Sequence, residues 1–137
     1  MKNLLLIGML LMSVASFSQR NTEYRITSNN QEHYIVTGDD EIKLDYKVID
    51  EYLFEIDYSN RVFYFTRSGD TYALKIKSIE NKRGDEYTYE LYTKNGLTFT
   101  IIISATQKRI VEIIKNSEGV ATRFVVHIID KIENIQY

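Results

Sequence analysis

Glu86-Tyr87-Thr88-Tyr89-Glu90-Leu91-Tyr92-Thr93-Lys94-Asn95-Gly96-Leu97-Thr98-Phe99-Thr100-Ile101-Ile102-Ile103-Ser104 is a pair of alternating runs around an Asn-Gly step. Asn-Gly between such runs is a strong hairpin signal. Side chains alternate faces along a strand, so Tyr87, Tyr89, Leu91 and Thr93 share one face, and Leu97, Phe99, Ile101 and Ile103 share one face of the next strand. A loop of Asn95-Gly96 alone would set Glu90 against Ile101 and bury a carboxylate among apolar groups. A loop of Lys94-Asn95-Gly96 pairs Thr93 with Leu97, Leu91 with Phe99, Tyr89 with Ile101 and Tyr87 with Ile103. This register predicts a type I turn with Gly96 in the left-handed region as a G1 bulge. A slip of one residue would turn the whole apolar row outward.

Upstream, the same rhythm recurs at spacings near those of short strands. Tyr24 and Ile26 lead to the polar turn signal Ser28-Asn29-Asn30-Gln31-Glu32, and Tyr34 and Val36 stop at Gly38-Asp39-Asp40. Ile42, Leu44, Tyr46 and Val48 alternate with Lys43, Asp45 and Lys47, the cleanest two-sided pattern in the chain. After Ile49-Asp50-Glu51 come Tyr52, Phe54, Ile56 and Tyr58, and a Ser59-Asn60 turn would set Ile56 opposite Phe63 and Phe54 opposite Phe65. Tyr72, Leu74 and Ile76 follow Ser68-Gly69-Asp70, and the alternation breaks at Ser78-Ile79, where a bulge is expected.

Downstream, Ile110, Val111, Ile113 and Ile114 fit either a helix stripe or both faces of a strand. Their β-branching favours the strand. A four-residue loop over Asn116-Ser117-Glu118-Gly119 would then place Glu112 opposite Arg123. Val120 to Ile129 is apolar on both faces, and residues from Asp130 onward supply a short last strand or fray. The expected fold is all-β: an antiparallel meander of about ten strands closed as a barrel-like sheet, with a two-sheet β-sandwich as the alternative. The strand count is similar to that of lipocalin and fatty-acid-binding barrels, but the lipocalin Gly-x-Trp signature cannot occur in a chain without tryptophan.

Met1-Lys2-Asn3 and the apolar run Leu4 to Phe17 read as a signal peptide, too short to cross a bilayer core of about 20 residues. Ser16-Phe17-Ser18 places small residues for cleavage before Gln19. The expected organisation is therefore a signal peptide over residues 1–18 and a single all-β domain over residues 19–137. Export is to the periplasm or the medium, and not as a lipoprotein, because lipid attachment needs a cysteine and the chain has none. That absence also excludes disulfides and thiolate metal sites. A formal charge of −2 argues against a nucleic-acid partner. No further apolar run reaches spanning length, so no transmembrane span is expected in the mature chain.

Candidate chemistry is sparse. His33 and His127 lie far apart in sequence, and His127 sits among Val125, Val126, Ile128 and Ile129 as a strand histidine. Asp39-Asp40-Glu41 lacks calcium-loop spacing. Glu55 with Asp57, and Glu86 with Glu90, are carboxylate pairs on one strand face, read as wet faces before any hydrolytic role. No Gly-x-Ser-x-Gly or phosphate-binding glycine loop occurs, and no cofactor or metal is expected. What stands out is tyrosine, eleven in all. Tyrosine combines an apolar body with a hydroxyl that seeks a partner when buried. Tyr52, Tyr64, Tyr72, Tyr87 and Tyr89 are the candidate lining of a ligand cavity. The function expected is a non-enzymatic exported module that binds an apolar or amphipathic small molecule or a protein partner. An envelope structural or interaction protein with a filled core is the alternative, and a hydrolase using carboxylates or His127 ranks last.

Overall fold

The computed structural model describes residues 22–93, 96 and 98–134. Eight antiparallel strands follow one another around a closed barrel: β1 (Tyr24–Val36), β2 (Ile42–Asp57), β3 (Val62–Arg67), β4 (Asp70–Arg83), β5 (Glu86–Tyr92), β6 (Thr98–Ser104), β7 (Arg109–Lys115) and β8 (Ala121–Asn134). Pairing of β8 with β1 completes the ring, so the sheet is a barrel and not a sandwich. The expected signal peptide, and the expected pairing of Thr93 with Leu97, lie outside the described residues.

The strand count is eight where about ten were expected, because two anticipated turns do not turn. Ser28-Asn29-Asn30 stays inside β1 and Ile49-Asp50-Glu51 stays inside β2, and the two segments face each other as a shared bulge between the Ser28–Tyr52 and Asn30–Ile49 pairs. Their polar side chains satisfy the backbone that the bulge leaves unpaired. Ser28 Oγ donates to the Asn30 carbonyl, Gln31 Nε2 donates to the Asp50 carbonyl at 2.8 Å, and the Asn29 N–H donates to the Asp130 carboxylate at 2.7 Å.

The central hairpin has the expected register. Tyr87 pairs with Ile103, Tyr89 with Ile101 and Leu91 with Phe99. Gly96 has φ 78° and donates its N–H to the Thr93 carbonyl at 3.0 Å, the left-handed position that glycine reaches without strain. Ile56 faces Phe63 and Phe54 faces Phe65, and a register shift between Ile76 and Ser78 marks the bulge in β4. The ambiguous segment is a strand, β7.

The β7–β8 register differs from expectation. Glu112 pairs with Val125, and Arg123 pairs with Ile114. The loop takes in Val120, whose carbonyl accepts the Asn116 N–H, while Asn116 Oδ1 accepts the N–H groups of Glu118 and Val120. With a bulge between Ile114 and Lys115 the shift amounts to an even number of residues, so every side chain keeps its face. The shift carries Glu112 away from Arg123 and onto His127.

The dry interior is built from Ile26, Phe54, Ile56, Phe63, Leu91, Ile101 and Ile110, each essentially without exposure. Phe54 stands at the waist, its ring centroid 6.1 Å from Phe63, 6.4 Å from Phe65 and 4.9 Å from His127. Burying such a side chain contributes about 1.5–3 kcal/mol. The first half of β2 behaves differently from its alternation. Ile42, Leu44 and Tyr46 are exposed, and Ile49 is 86% exposed. The cause is strand length: β3 ends with Arg67 opposite Tyr52, so this half of β2 pairs with β1 alone and has no core to face.

Candidate functional site

The barrel has two unlike ends. At the end where β1 begins and β2 finishes, a cleft of about 350 Å³ opens between strands. Tyr24 and Ile26 reach it from β1, Ile56 and Tyr58 from the end of β2, Tyr87 and Tyr89 from β5, and Ile103 from β6. Tyr24 lies opposite Ile56 and Tyr87 opposite Ile103, so the side chains of each pair share a face, and the cleft brings the two pairs together. Tyr24 meets Tyr58 edge-on at 5.8 Å, and the Tyr58 and Tyr89 hydroxyls are 2.5 Å apart. Tyr89 is only 2% exposed, and burial pushes its phenol, and that of Tyr58, above the ordinary tyrosine value, so both stay protonated and apolar in character. One hydroxyl donates to the other, which leaves the acceptor's own proton free to donate elsewhere.

Two carboxylates edge the cleft, Glu23 just before β1 and Asp85 in the β4–β5 turn. Asp85 accepts hydrogen bonds from the Thr106 hydroxyl and, at 2.6 Å, from its N–H, and these bonds hold its carboxyl below the usual range.

The opposite end is plugged by polar pairs. His127 is 0% exposed, its Nε2 lies 2.6 Å from Glu112 Oε2, and Tyr52 presents its ring edge-on at 4.7 Å. Neither His127 Nδ1 nor Oε1 of its register neighbour Gln31 finds a partner in the protein. Above this layer Arg67 pairs with Asp50 at 3.1 Å and lies over the Tyr52 ring, and Arg123 pairs with Asp45 at 3.1 Å and lies over Tyr46. His33 stacks on Tyr46 at 4.3 Å, and burial, followed by the Arg123 charge, draws its pKa below the ordinary histidine value. The charges are matched locally, sign against sign.

The remaining candidates fall elsewhere. Of the tyrosines read as a lining, Tyr87 and Tyr89 are in the cleft, while Tyr52 sits in the opposite half against His127. Tyr72 is 51% exposed and stacks on Phe65 at 5.2 Å. Tyr64 lies on the face opposite Phe63 and Phe65, in register with Glu55 and Ala73. Tyr24 and Tyr58 complete the cleft and were not singled out from sequence, although the alternation had set Tyr58 on the face of Ile56. Glu55 is engaged by Arg25 at 3.5 Å, Asp57 by Asn60, and Glu90 by the Thr100 hydroxyl at 2.8 Å. Among the described residues no group of three or more His, Cys, Asp or Glu side chains is placed to hold a metal, and no helix is long and apolar enough to cross a membrane.

A shallower groove of about 510 Å³ runs along the outer wall of β1, β7 and β8, lined by Tyr34, Val111, Phe124, Val126 and Ile128. It arises because β7 and β8 are apolar on both faces while the barrel covers only the inner one. No family model matches the chain, and neither does any curated protein sequence or solved structure.

Proposed function

We propose that this chain is an exported, non-enzymatic binding module whose tyrosine-lined cleft holds a small apolar or amphipathic molecule. The cleft itself carries the reading. Its volume of about 350 Å³ falls in the range of small-molecule sites, about 300–1,000 Å³. Its walls combine isoleucine side chains with four tyrosine rings, and such walls suit a ligand with an apolar body. The Met1–Ser18 pattern of a basic start, an apolar run and small residues supports export to the periplasm or beyond.

Titration with N-phenyl-1-naphthylamine, a neutral apolar fluorophore, tests the reading. Saturable one-to-one emission gain is expected, and Ala105→Trp, which fills the cleft from its rim, should weaken it at least fivefold. Absence of saturable uptake, or uptake that ignores Ala105→Trp, rejects the cleft as a ligand site. The outer groove favours a second reading, in which an envelope protein is the partner and the barrel is its docking block. Under that reading Phe124→Glu abolishes co-purification of the partner and leaves the fluorophore titration intact.

A further inference from the structure

We infer that the cleft selects amphipaths whose polar end is a cation, an alkylammonium being the simplest. This inference rests on the cleft being a ligand site. Among the described side chains lining it, charge is carried only by Glu23 and Asp85, and no lysine, arginine or histidine is present. Their positions follow from the topology. Glu23 precedes β1, and Asp85 joins β4 to β5, which lie across the eight-stranded ring from β1. The carboxylates therefore flank the opening from opposite sides, and a headgroup leaving the cleft passes between them. Asp85 is fixed by Thr106 and kept anionic, so it is a placed charge and not a swinging one.

The tyrosines add to the same sign. The faces of aromatic rings are electronegative and attract ammonium groups, most strongly where water is excluded. Tyr24, Tyr58 and Tyr87 line the same cleft as the carboxylates and are less deeply buried than Tyr89, so their rings are available to a headgroup there. Among the described lining residues, an anionic headgroup would meet these carboxylates and no lysine, arginine or histidine. The opposite end, by contrast, pairs each of its arginines with an aspartate.

Calorimetric titration with octyltrimethylammonium, octyl glucoside and octyl sulfate, each below its micellar concentration, tests the inference. The cation is expected to bind about tenfold more tightly than the sulfate, with the glucoside between them, and added salt should narrow the gap. Glu23→Gln should remove most of that preference while leaving the glucoside affinity in place. Tyr87→Leu, which keeps apolar volume but removes a ring face, should weaken the cation selectively. Equal affinities for all three amphiphiles, or a preference that survives Glu23→Gln, overturn the cation inference and leave the cleft reading standing. Failure of all three to bind, or binding indifferent to Ala105→Trp, overturns both.

Discussion

Both ends of this barrel carry tyrosine rings and treat them in opposite ways. At the far end Tyr46 and Tyr52 lie under arginines that are themselves tied to Asp45 and Asp50, and the layer below is closed by His127 and Glu112. At the near end Tyr24, Tyr58, Tyr87 and Tyr89 surround space, with carboxylates at the edge. The contrast teaches that aromatic content alone does not make a pocket. Rings capped by paired charges fill a barrel, and rings left without a cap line it.

Phe54 is the point at which the ends meet, so Phe54→Ala should damage both. A loss of about 4 kcal/mol in urea unfolding is expected, with fluorophore uptake weakened as well. A loss below about 1.5 kcal/mol would show that the waist collapses around the gap and that the ends are independent. Glu112→Ala should cost about 2 kcal/mol by leaving His127 Nε2 buried without its hydrogen-bond partner. The damage should stay at the far end, and a cleft affinity that changed with it would break the separation. Tyr89→Phe removes a single buried hydroxyl contact and should cost about 1 kcal/mol at neutral pH.

Tyr89→Phe also sharpens the comparison in alkali. The Tyr58 and Tyr89 phenols have folded-state pKa values raised by burial, so they contribute stability that is fully present below the ordinary tyrosine value of 10. That contribution is lost as pH rises past 10, because the unfolded chain ionises first. The variant should flatten the decline in melting temperature above that pH. The smallest effect belongs to His33 at the far end, whose folded pKa is lowered from 6.5. Below pH 6.5 the unfolded chain takes up the proton first, so stability falls as pH drops until the folded state is protonated too. His33→Gln should remove that shallow acid slope, and a Tm profile unchanged by the substitution would show that His33 faces water.

Much of this architecture was legible in the residues. The period-two pattern placed Tyr89, Leu91, Phe99 and Ile101 on one face, and the cost of burying Glu90 fixed the hairpin register. What the alternation could not supply was height along the barrel axis. Tyr52 and Tyr58 share a face of β2, yet they lie at opposite ends, and only the stagger between neighbouring strands decides which rings meet. Ser28-Asn29-Asn30 misled for a different reason. Residues that make turns are also the ones that satisfy a bulge, and local composition does not distinguish a chain that reverses from one that carries an extra residue. The His127–Glu112 contact was illegible because it depends on a loop one residue longer than the alternation suggested together with a bulge between Ile114 and Lys115.

Tyr24 and Asn134 are register partners across the seam between the first and last strands. The polypeptide therefore enters and leaves the barrel side by side, and it does so at the tyrosine end. Under the proposed function, an affinity tag or fused domain joined just before β1 or just after β8 would crowd the entrance to the cleft. The β3–β4 turn at Ser68-Gly69 and the β7–β8 loop at Asn116–Gly119 point the other way. Handles, labels and surface attachments placed there would leave that entrance clear.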